Sequence, residues 1–207
     1  MDKKIKKVVY TVLIGDYKLY EPTYINKEWS LICFTDQNIT SKNWSIVRVK
    51  NNNYPRKKAR EIKIRCDKFL DFDICLFIDS KFTIKCNLDE FIEENLKSDI
   101  VLMKHNKRSC VYDEAKFCIN NDIGNKKDIL NQIHFYKEAG FPLNFGLYGT
   151  GILIRKNTPN VIEFMKMWYD EIEKYSCRDQ ISFSYILWKN PIKLSAIPFK
   201  ETYRRFI

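Results

Sequence analysis

An acidic residue directly follows a strand-like segment in the first half of the sequence. Ile74 to Ile78 is an apolar run that ends at Asp79, a pattern typical of a buried strand. Open α/β sheets bind ligands at the carboxyl ends of their strands, so we expect the Asp79 carboxylate at that edge. Its oxygens suit Mg²⁺ or Mn²⁺ on a phosphate ligand, whereas Lys81 offers a positive charge of its own. The alternative is that Asp79 only caps the following turn.

Two other strand-like segments end in polar residues. The run 6–14 stops at Gly15 and is followed by Tyr17, and the run 29–34 leads to Asp36. Tyr17 offers an aromatic ring for a nucleotide base, and the Asp36 carboxylate can accept hydrogen bonds from a base or a ribose. Each of these ends alone is also typical of an ordinary turn. Together with Asp79, they favour a ligand site at one edge of the sheet.

The segments that position these residues alternate between strands and helices. We predict strands at 6–14, 29–34, 46–49, 74–78, 99–103 and 152–155. We predict helices at 56–69, 87–96, 115–139 with a break at 122–125, 159–175, and a final one after 178–180. This alternation predicts an α/β fold with a mainly parallel, doubly wound sheet. No repeat or change in composition divides the chain, so we expect one domain over 1–207.

Composition restricts the classes of protein that need to be considered. The 207 residues carry a net charge of +10, which favours phosphates, nucleic acid or anionic lipid headgroups as partners. No apolar run reaches the roughly 18 residues that span a bilayer, and Met1 to Lys7 leads into a strand instead of a signal-peptide apolar region. The seven cysteines form no C-x-x-C pair. We therefore expect a soluble cytoplasmic protein with reduced cysteines and no transmembrane segment, and peripheral membrane contact stays open.

The order of short segments along nearly the whole chain resembles the glycosyltransferase-like family first described as domain of unknown function 616. That family includes plant mucilage-related proteins and proteins of bacterial polysaccharide clusters. Two residues depart from its pattern: Ser80 stands where glycine is expected, and Tyr169 where a second tryptophan is common. The matching segments are Val9 to Thr11, Gly15 to Tyr17, Cys33 to Asp36, Arg56 with Ala59, Arg60 and Lys63, Ile78 to Lys81, Asn87 to Phe91, His105, Arg108 to Glu114, Gly140 to Pro142, Gly146 with Leu147, Gly151 to Arg155, Trp168, and Arg178 to Phe183.

The resemblance implies a GT-A-type fold that binds a nucleotide sugar, with a UDP-sugar the expected donor. In GT-A enzymes the place of Asp79 belongs to an Asp-x-Asp motif, whose carboxylates hold a divalent cation against the donor diphosphate. Lys81 replaces the second Asp here. The resemblance therefore names Asp79 as the candidate metal ligand and leaves the requirement for Mn²⁺ or Mg²⁺ open.

The resemblance also implies roles for other residues. Arg60 and Lys63, three apart on one helical face, are expected to reach the donor phosphates; a solvated helix face is the alternative. The expected donor-binding residues are Thr11, Gly15, Tyr17, Asp36, Arg60, Lys63, Asp79, Ser80 and Lys81. The expected acceptor- or sugar-binding residues are His105, Arg108, Gly149, Thr150, Gly151 and Arg178, with Gly149 to Gly151 interpreted as a turn that a ligand can approach closely.

Three residues are candidates for the chemical step. Asp179 lies at the start of a late helix, where many GT-A enzymes place an acidic residue near the acceptor hydroxyl, and it is the expected base if the enzyme inverts configuration. If the enzyme retains configuration, Asp179 or Gln180 is expected to stabilise the oxocarbenium-like state. Glu114, in the segment after His105, is an acid/base candidate. The alternative for Asp179 is a helix N-cap with no chemical role.

The sequence thus predicts a glycosyltransferase that moves a sugar from a nucleotide-sugar donor to a glycan or other hydroxyl acceptor. The alternative is a non-catalytic module on the same fold that binds a glycan or nucleic acid. Nucleic acid is the less favoured partner, because aromatic residues such as Phe164 and Trp168 fall on apolar helix faces.

Overall fold

A computed structural model describes residues 4–50 and 54–207 of the chain. Residues 1–3, the start of the predicted Met1 to Lys7 segment, lie outside the described residues, as do residues 51–53. The strands are β1 (Lys7–Leu13), β2 (Trp29–Thr35), β3 (Ser45–Arg48), β4 (Ile74–Ile78), β5 (Ile100–Lys104), β6 (Tyr148–Lys156) and β7 (Leu194–Ile197). The helices are α1 (Pro55–Ile64), α2 (Leu88–Asn95), α3 (Val111–Asn120), α4 (Lys126–Glu138), α5 (Pro159–Lys174), α6 (Asp179–Lys189) and α7 (Phe199–Phe206).

The seven strands form one sheet in the order β3-β2-β1-β4-β6-β5-β7. Strand β1 is parallel to β2 and β4, β2 is parallel to β3, and β5 is parallel to β7. Strand β6 runs antiparallel to both β4 and β5. The mainly parallel α/β sheet predicted from the sequence is therefore confirmed, and the direction of β6 departs from the doubly wound pattern.

Helices cover both faces of the sheet because the central strands are apolar on both faces. On β1, Val8 and Tyr10 pack into one buried cluster with residues of α1, α3, α4, α5 and α6. Val9 and Leu13 pack into the opposite cluster with α2 and α7. In α5, Phe164 and Trp168 are buried in the first cluster, as the apolar face of that helix predicts.

The end of the chain differs from the prediction. Helix α6 is not the final element, because β7 and α7 follow it. Strand β7 pairs with β5 and extends the sheet by one edge strand. The side chain of Phe206, near the end of α7, is fully buried and packs edge-on against Phe91 of α2. This short terminal segment therefore completes the core on the second face.

The antiparallel direction of β6 brings its first residues to the carboxyl ends of its neighbours. Ile152 lies opposite Ile78 at the end of β4, and Gly149 lies opposite Met103 near the end of β5. Gly149 to Gly151 therefore belong to a strand, which corrects the prediction of a turn. Gly151 still lies beside Asp79, because β6 begins at the edge of the sheet where β4 ends.

Candidate active site

Two adjoining cavities open at this edge of the sheet, with volumes of about 380 and 390 Å³. The first, the β6-side cavity, is bordered by β5, β6 and the start of α6, and the second, the β1-side cavity, by β1 and α1. Four residues line both cavities, and we call them the junction residues: Arg60, Asp79, Lys81 and Arg178. Three of the four are cations, so the junction suits an anion.

Asp79 is held at the junction by its backbone. Its N–H donates to the carbonyl of Gly151 at 2.8 Å, and its carbonyl accepts from the N–H of Phe82 at 2.9 Å. A Cβ atom on Gly151 would lie only 2.8 Å from Asp79 Oδ2 and 2.9 Å from the Phe82 ring. Position 151 therefore requires glycine for the Asp79 carboxylate to occupy this place.

Asp179 forms a buried charge cluster with two basic residues of α1. The residue is 3% exposed, and its Oδ2 atom accepts from Lys63 Nζ at 2.6 Å and Thr150 Oγ1 at 3.0 Å. Arg60 Nε lies 3.3 Å from the same oxygen. The other oxygen, Oδ1, accepts from the backbone N–H of Gln180 at 3.1 Å. Asp179 is the first residue of α6, so the N-cap interpretation is wrong: the N-cap position belongs to Arg178.

Neighbouring cations keep the Asp179 carboxylate ionised. Burial acts to raise the pKa of Asp179, but attraction to Arg60, Lys63 and Arg178 is stronger and holds the pKa well below its usual value. Burial lowers the pKa of Lys63, and the charges of Asp179 and Asp79 oppose that effect. A carboxylate with a strongly lowered pKa is a poor proton acceptor. The geometry therefore favours Asp179 as a residue that positions Arg60 and Lys63, while its role as a base stays a prediction.

Glu114 is the centre of a second buried charge cluster. Its Oε2 accepts from Arg108 Nε at 2.6 Å, and its Oε1 accepts from an Arg178 nitrogen at 3.2 Å. Burial acts to raise its pKa, but the hydrogen bond and charge of Arg108, with the charge of Arg178, lower it overall. Neither Glu114 nor Arg108 lines the cavities. They hold Arg178 at the junction from behind. The role of Glu114 as an acid or base stays a prediction.

His105 lines the β6-side cavity beside Asn106. Its Nδ1 accepts from the backbone N–H of Arg108 at 3.0 Å, which leaves the proton of the neutral ring on Nε2. Burial lowers the pKa of His105, an effect that Glu114 opposes and Arg108 supports. Its Nε2 lies 3.7 Å from Glu114 Oε2, so that edge of the ring faces the buried carboxylate while the residue borders the cavity.

Of the other predicted donor residues, two line a cavity, two form a turn, and one is buried inside the sheet. Tyr17 is 58% exposed and lines the β1-side cavity together with Ser80. Gly15 has a φ of +91°, and its N–H donates to Asp36 Oδ1 at 3.0 Å, so this pair fixes the turn that carries Tyr17. Thr11 is buried inside β1 and lines neither cavity. We therefore leave Thr11 out of the proposed donor site.

Comparison with known proteins identifies the family. Residues 3–206 match the family described as TOD1/MUCI70, glycosyltransferase-like domain. This chain belongs to the TOD1/MUCI70 family. At the level of that family, it is a glycosyltransferase-like domain.

Individual relatives agree with the family and fold. A protein named probable hexosyltransferase MUCI70, from Arabidopsis thaliana, is 26% identical over 160 residues, which cover 69% of this chain and 27% of the relative. This chain thus spans about a quarter of that protein's length. The apo structure of the bifunctional glycosyltransferase WbbM superposes with a TM-score of 0.50 at 12% identity, covering 97% of this chain and 40% of that one. Its likeness shows the fold alone.

A divalent cation fits poorly between the cavity-lining residues of this TOD1/MUCI70 member. Asp179 already has hydrogen-bond donors on both oxygens, so Asp79 is the one cavity-lining carboxylate in the described ranges that receives no side-chain or backbone hydrogen bond. Across residues 4–50 and 54–207, no three His, Cys, Asp or Glu side chains are grouped closely enough to hold a metal ion. The predicted Mn²⁺ or Mg²⁺ stays a prediction from the resemblance.

Some lining residues of the TOD1/MUCI70 site were missed by the sequence analysis. They are Phe82, Met103, Lys104, Asn106, Phe199 and Ile207 around the first cavity, and Val12, Ile14, Ile123 and Gly124 around the second. Lys104 was detectable, because it follows an apolar strand as Asp79 does. Phe199 and Ile207 belong to the α7 segment, which was not predicted.

Within the described ranges, no helix combines the length and apolar character needed to cross a bilayer. The cytoplasmic location stays a prediction.

Proposed function

We propose that this chain transfers a hexosyl group from a UDP-sugar to a hydroxyl group of a glycan or another acceptor. The observation that carries the proposal is the junction, where Arg60, Lys81 and Arg178 meet at the carboxyl edge of a GT-A-like sheet. The family supports the transferase class, and the name of the Arabidopsis relative supports hexose as the transferred sugar. The choice of UDP rests on the resemblance.

The two cavities suggest how the donor lies. The β1-side cavity has apolar walls from Val12, Ile14 and Ala59 and an exposed aromatic ring, Tyr17, which suit a nucleoside. The diphosphate then lies at the junction, where arginine and lysine side chains can donate charge-assisted hydrogen bonds to its oxygens. The sugar extends into the β6-side cavity. Asp79, which lines both cavities, accepts a hydrogen bond from a hydroxyl of the donor.

The β6-side cavity then holds the sugar and the acceptor. His105, Asn106 and Gln180 supply polar side chains there, and Gly149 leaves the strand backbone uncovered. The acceptor oxygen forms a bond to the anomeric carbon, and the bond from that carbon to the diphosphate oxygen breaks with its electron pair on the leaving diphosphate. The hydroxyl proton passes to a base; the sequence suggests Asp179, although its lowered pKa makes it a weak proton acceptor.

The arrangement also suggests how catalysis is helped. Negative charge increases on the diphosphate oxygen as the bond breaks, and preorganised cations stabilise such a transition state more than the ground state. Lys63 and Arg60 are fixed by Asp179, and Arg178 is fixed by Glu114. The two buried carboxylates therefore hold two of the three junction cations, Arg60 and Arg178, in place before the donor binds.

A transfer assay tests the proposal directly. The intact protein is incubated with a panel of nucleotide sugars, and release of the nucleoside diphosphate is measured with and without a mixture of glycan acceptors. We expect release from a UDP-hexose, and we expect Asp79→Asn to abolish it while leaving the melting temperature unchanged. Asp170→Asn, a matched change on the exposed surface of α5, is the control and should behave as wild type. Binding of a UDP-sugar without release, or wild-type release by Asp79→Asn, would count against the proposal.

A further inference from the structure

We infer that the donor diphosphate is bound by side-chain cations alone, without a divalent cation. This inference rests on the proposed function and concerns the same site. It departs from the expectation of a Mn²⁺ or Mg²⁺ ion that the GT-A resemblance raised. Three observations carry it: the charges that line the cavities, the contacts of the two carboxylates, and the position of Lys81.

The lining of the two cavities is strongly basic. Six cationic side chains line one or both cavities, against two carboxylates, Asp79 and Asp179. The cations are Arg56, Arg60, Lys63, Lys81, Lys104 and Arg178. Low-dielectric walls strengthen such a field, which attracts a diphosphate and repels a divalent cation. The charge that a metal would supply to the diphosphate is thus already present in the protein.

The carboxylates offer few ligands for a metal. Asp179 Oδ2 is occupied by Lys63, Arg60 and Thr150, and a metal there would have to displace a buried ammonium 2.6 Å away. Mg²⁺ and Mn²⁺ sites use oxygen ligands in near-octahedral geometry, usually from more than one protein group or from waters. Asp79 alone provides one monodentate or bidentate ligand among several cations. A metal at Asp79 would therefore be held weakly by the protein.

Lys81 stands where a second carboxylate would face the diphosphate. It lines both cavities, and its Nζ lies 5.2 Å from the centre of the Phe82 ring. Among the contacts of the described residues, no hydrogen bond or ion pair commits this ammonium group. By contrast, Lys63 is committed to Asp179. Lys81 is thus the cation with the most freedom to move onto a phosphate oxygen.

Calorimetric titration of the intact protein with UDP tests this inference. One titration contains EDTA, and the other contains MnCl₂. We expect the dissociation constants to differ by less than about threefold. In EDTA, Lys81→Ala should weaken UDP binding by about tenfold, because one charge-assisted contact is lost, and Lys81→Asp should weaken it further. Lys166→Ala and Lys166→Asp, on the exposed face of α5, are the matched controls and should bind as wild type does.

The outcomes separate this inference from the proposed function. UDP binding that requires Mn²⁺ would overturn the inference and leave the transferase proposal in place. Wild-type UDP affinity of Lys81→Ala in EDTA would also overturn it. Failure of UDP, and of other nucleoside diphosphates, to bind under either condition would contradict the proposed function, and the inference would be lost with it. Melting temperatures of all variants are measured so that loss of binding is not confused with unfolding.

Discussion

The ammonium group of Lys63 lies 2.6 Å from Asp179 Oδ2, and this buried ion pair joins α1 to the first residue of α6. Lys63 is 1% exposed and Asp179 is 3% exposed. Ion pairs this deeply buried are costly to break from one side, because the remaining charge is left without a partner. The pair thus connects the stability of the domain to the geometry of the candidate active site.

Removing one member of this pair should destabilise the protein. We expect Asp179→Asn to lower the free energy of unfolding by about 3–5 kcal/mol, because the Lys63 ammonium stays buried without its counter-charge. The double variant Lys63→Met with Asp179→Asn should recover a large part of that loss. Urea denaturation measures both values. An Asp179→Asn variant as stable as wild type would mean that the ion pair contributes little to folding.

The same pair should contribute to acid sensitivity. The pKa of Asp179 is lower in the folded state than its unfolded value of about 3.9, so its contribution to stability is fully present above that value. The contribution is lost as the pH falls further, toward the pKa of the folded state. Stability measured against pH should therefore fall more steeply below about pH 4 in wild type than in the Lys63→Met, Asp179→Asn double variant. Identical slopes would contradict the lowered pKa.

A methyl group at position 151 should disturb the Asp79 carboxylate. The added Cβ of Gly151→Ala would lie 2.8 Å from Asp79 Oδ2, and we expect sugar transfer to fall by about 10²-fold, since small displacements at a reacting site have effects of that size. Gly149→Ala is the matched control. Its Cβ would meet the flexible end of Met103 at 3.2 Å, and a smaller loss is expected. Equal losses in the two variants would indicate a general effect on β6 instead of one on Asp79.

Glu114 should act on donor binding through Arg178. We expect Glu114→Gln to weaken UDP binding by about tenfold while leaving uridine binding unchanged, because Arg178 is proposed to contact the phosphates. Glu138→Gln, at the exposed end of α4, serves as the control. A purely structural role of Glu114 would reduce UDP and uridine binding together, and the comparison of the two ligands in one titration series distinguishes the cases.

Much of the fold was predictable from the sequence because its signals are local. The strand Ile74–Ile78 is a continuous apolar run. Asp79 follows it directly, so it lies at the carboxyl end of the strand, where open α/β sheets bind ligands. Helix α2 was predicted from Asn87, whose side chain accepts a hydrogen bond from the N–H of Asp89 as an N-cap does. The hydrophobic pattern of a strand does not indicate its direction, so the antiparallel orientation of β6 was not predicted.

The candidate site was less predictable because its main contacts join distant parts of the chain. Lys63 and Asp179 are 116 residues apart, and their pairing appears only when α1 and α6 pack together. Lys63 was therefore predicted to reach the donor phosphates, although its ammonium group is bound to Asp179. Gly149 and Gly151 resemble a turn because the sequence alone does not show that the Asp79 carboxylate must lie against Gly151.

A crystal structure with UDP bound would test the central claim most directly. The account predicts the diphosphate at the junction, with its oxygens within hydrogen-bond distance of Arg60, Lys81 and Arg178, and the base beside Tyr17 in the β1-side cavity. Crystals grown with saturating UDP in EDTA would also show whether this arrangement needs a metal. Density for UDP elsewhere on the protein, or two empty cavities at saturating nucleotide, would contradict the assignment of this edge of the sheet as the donor site.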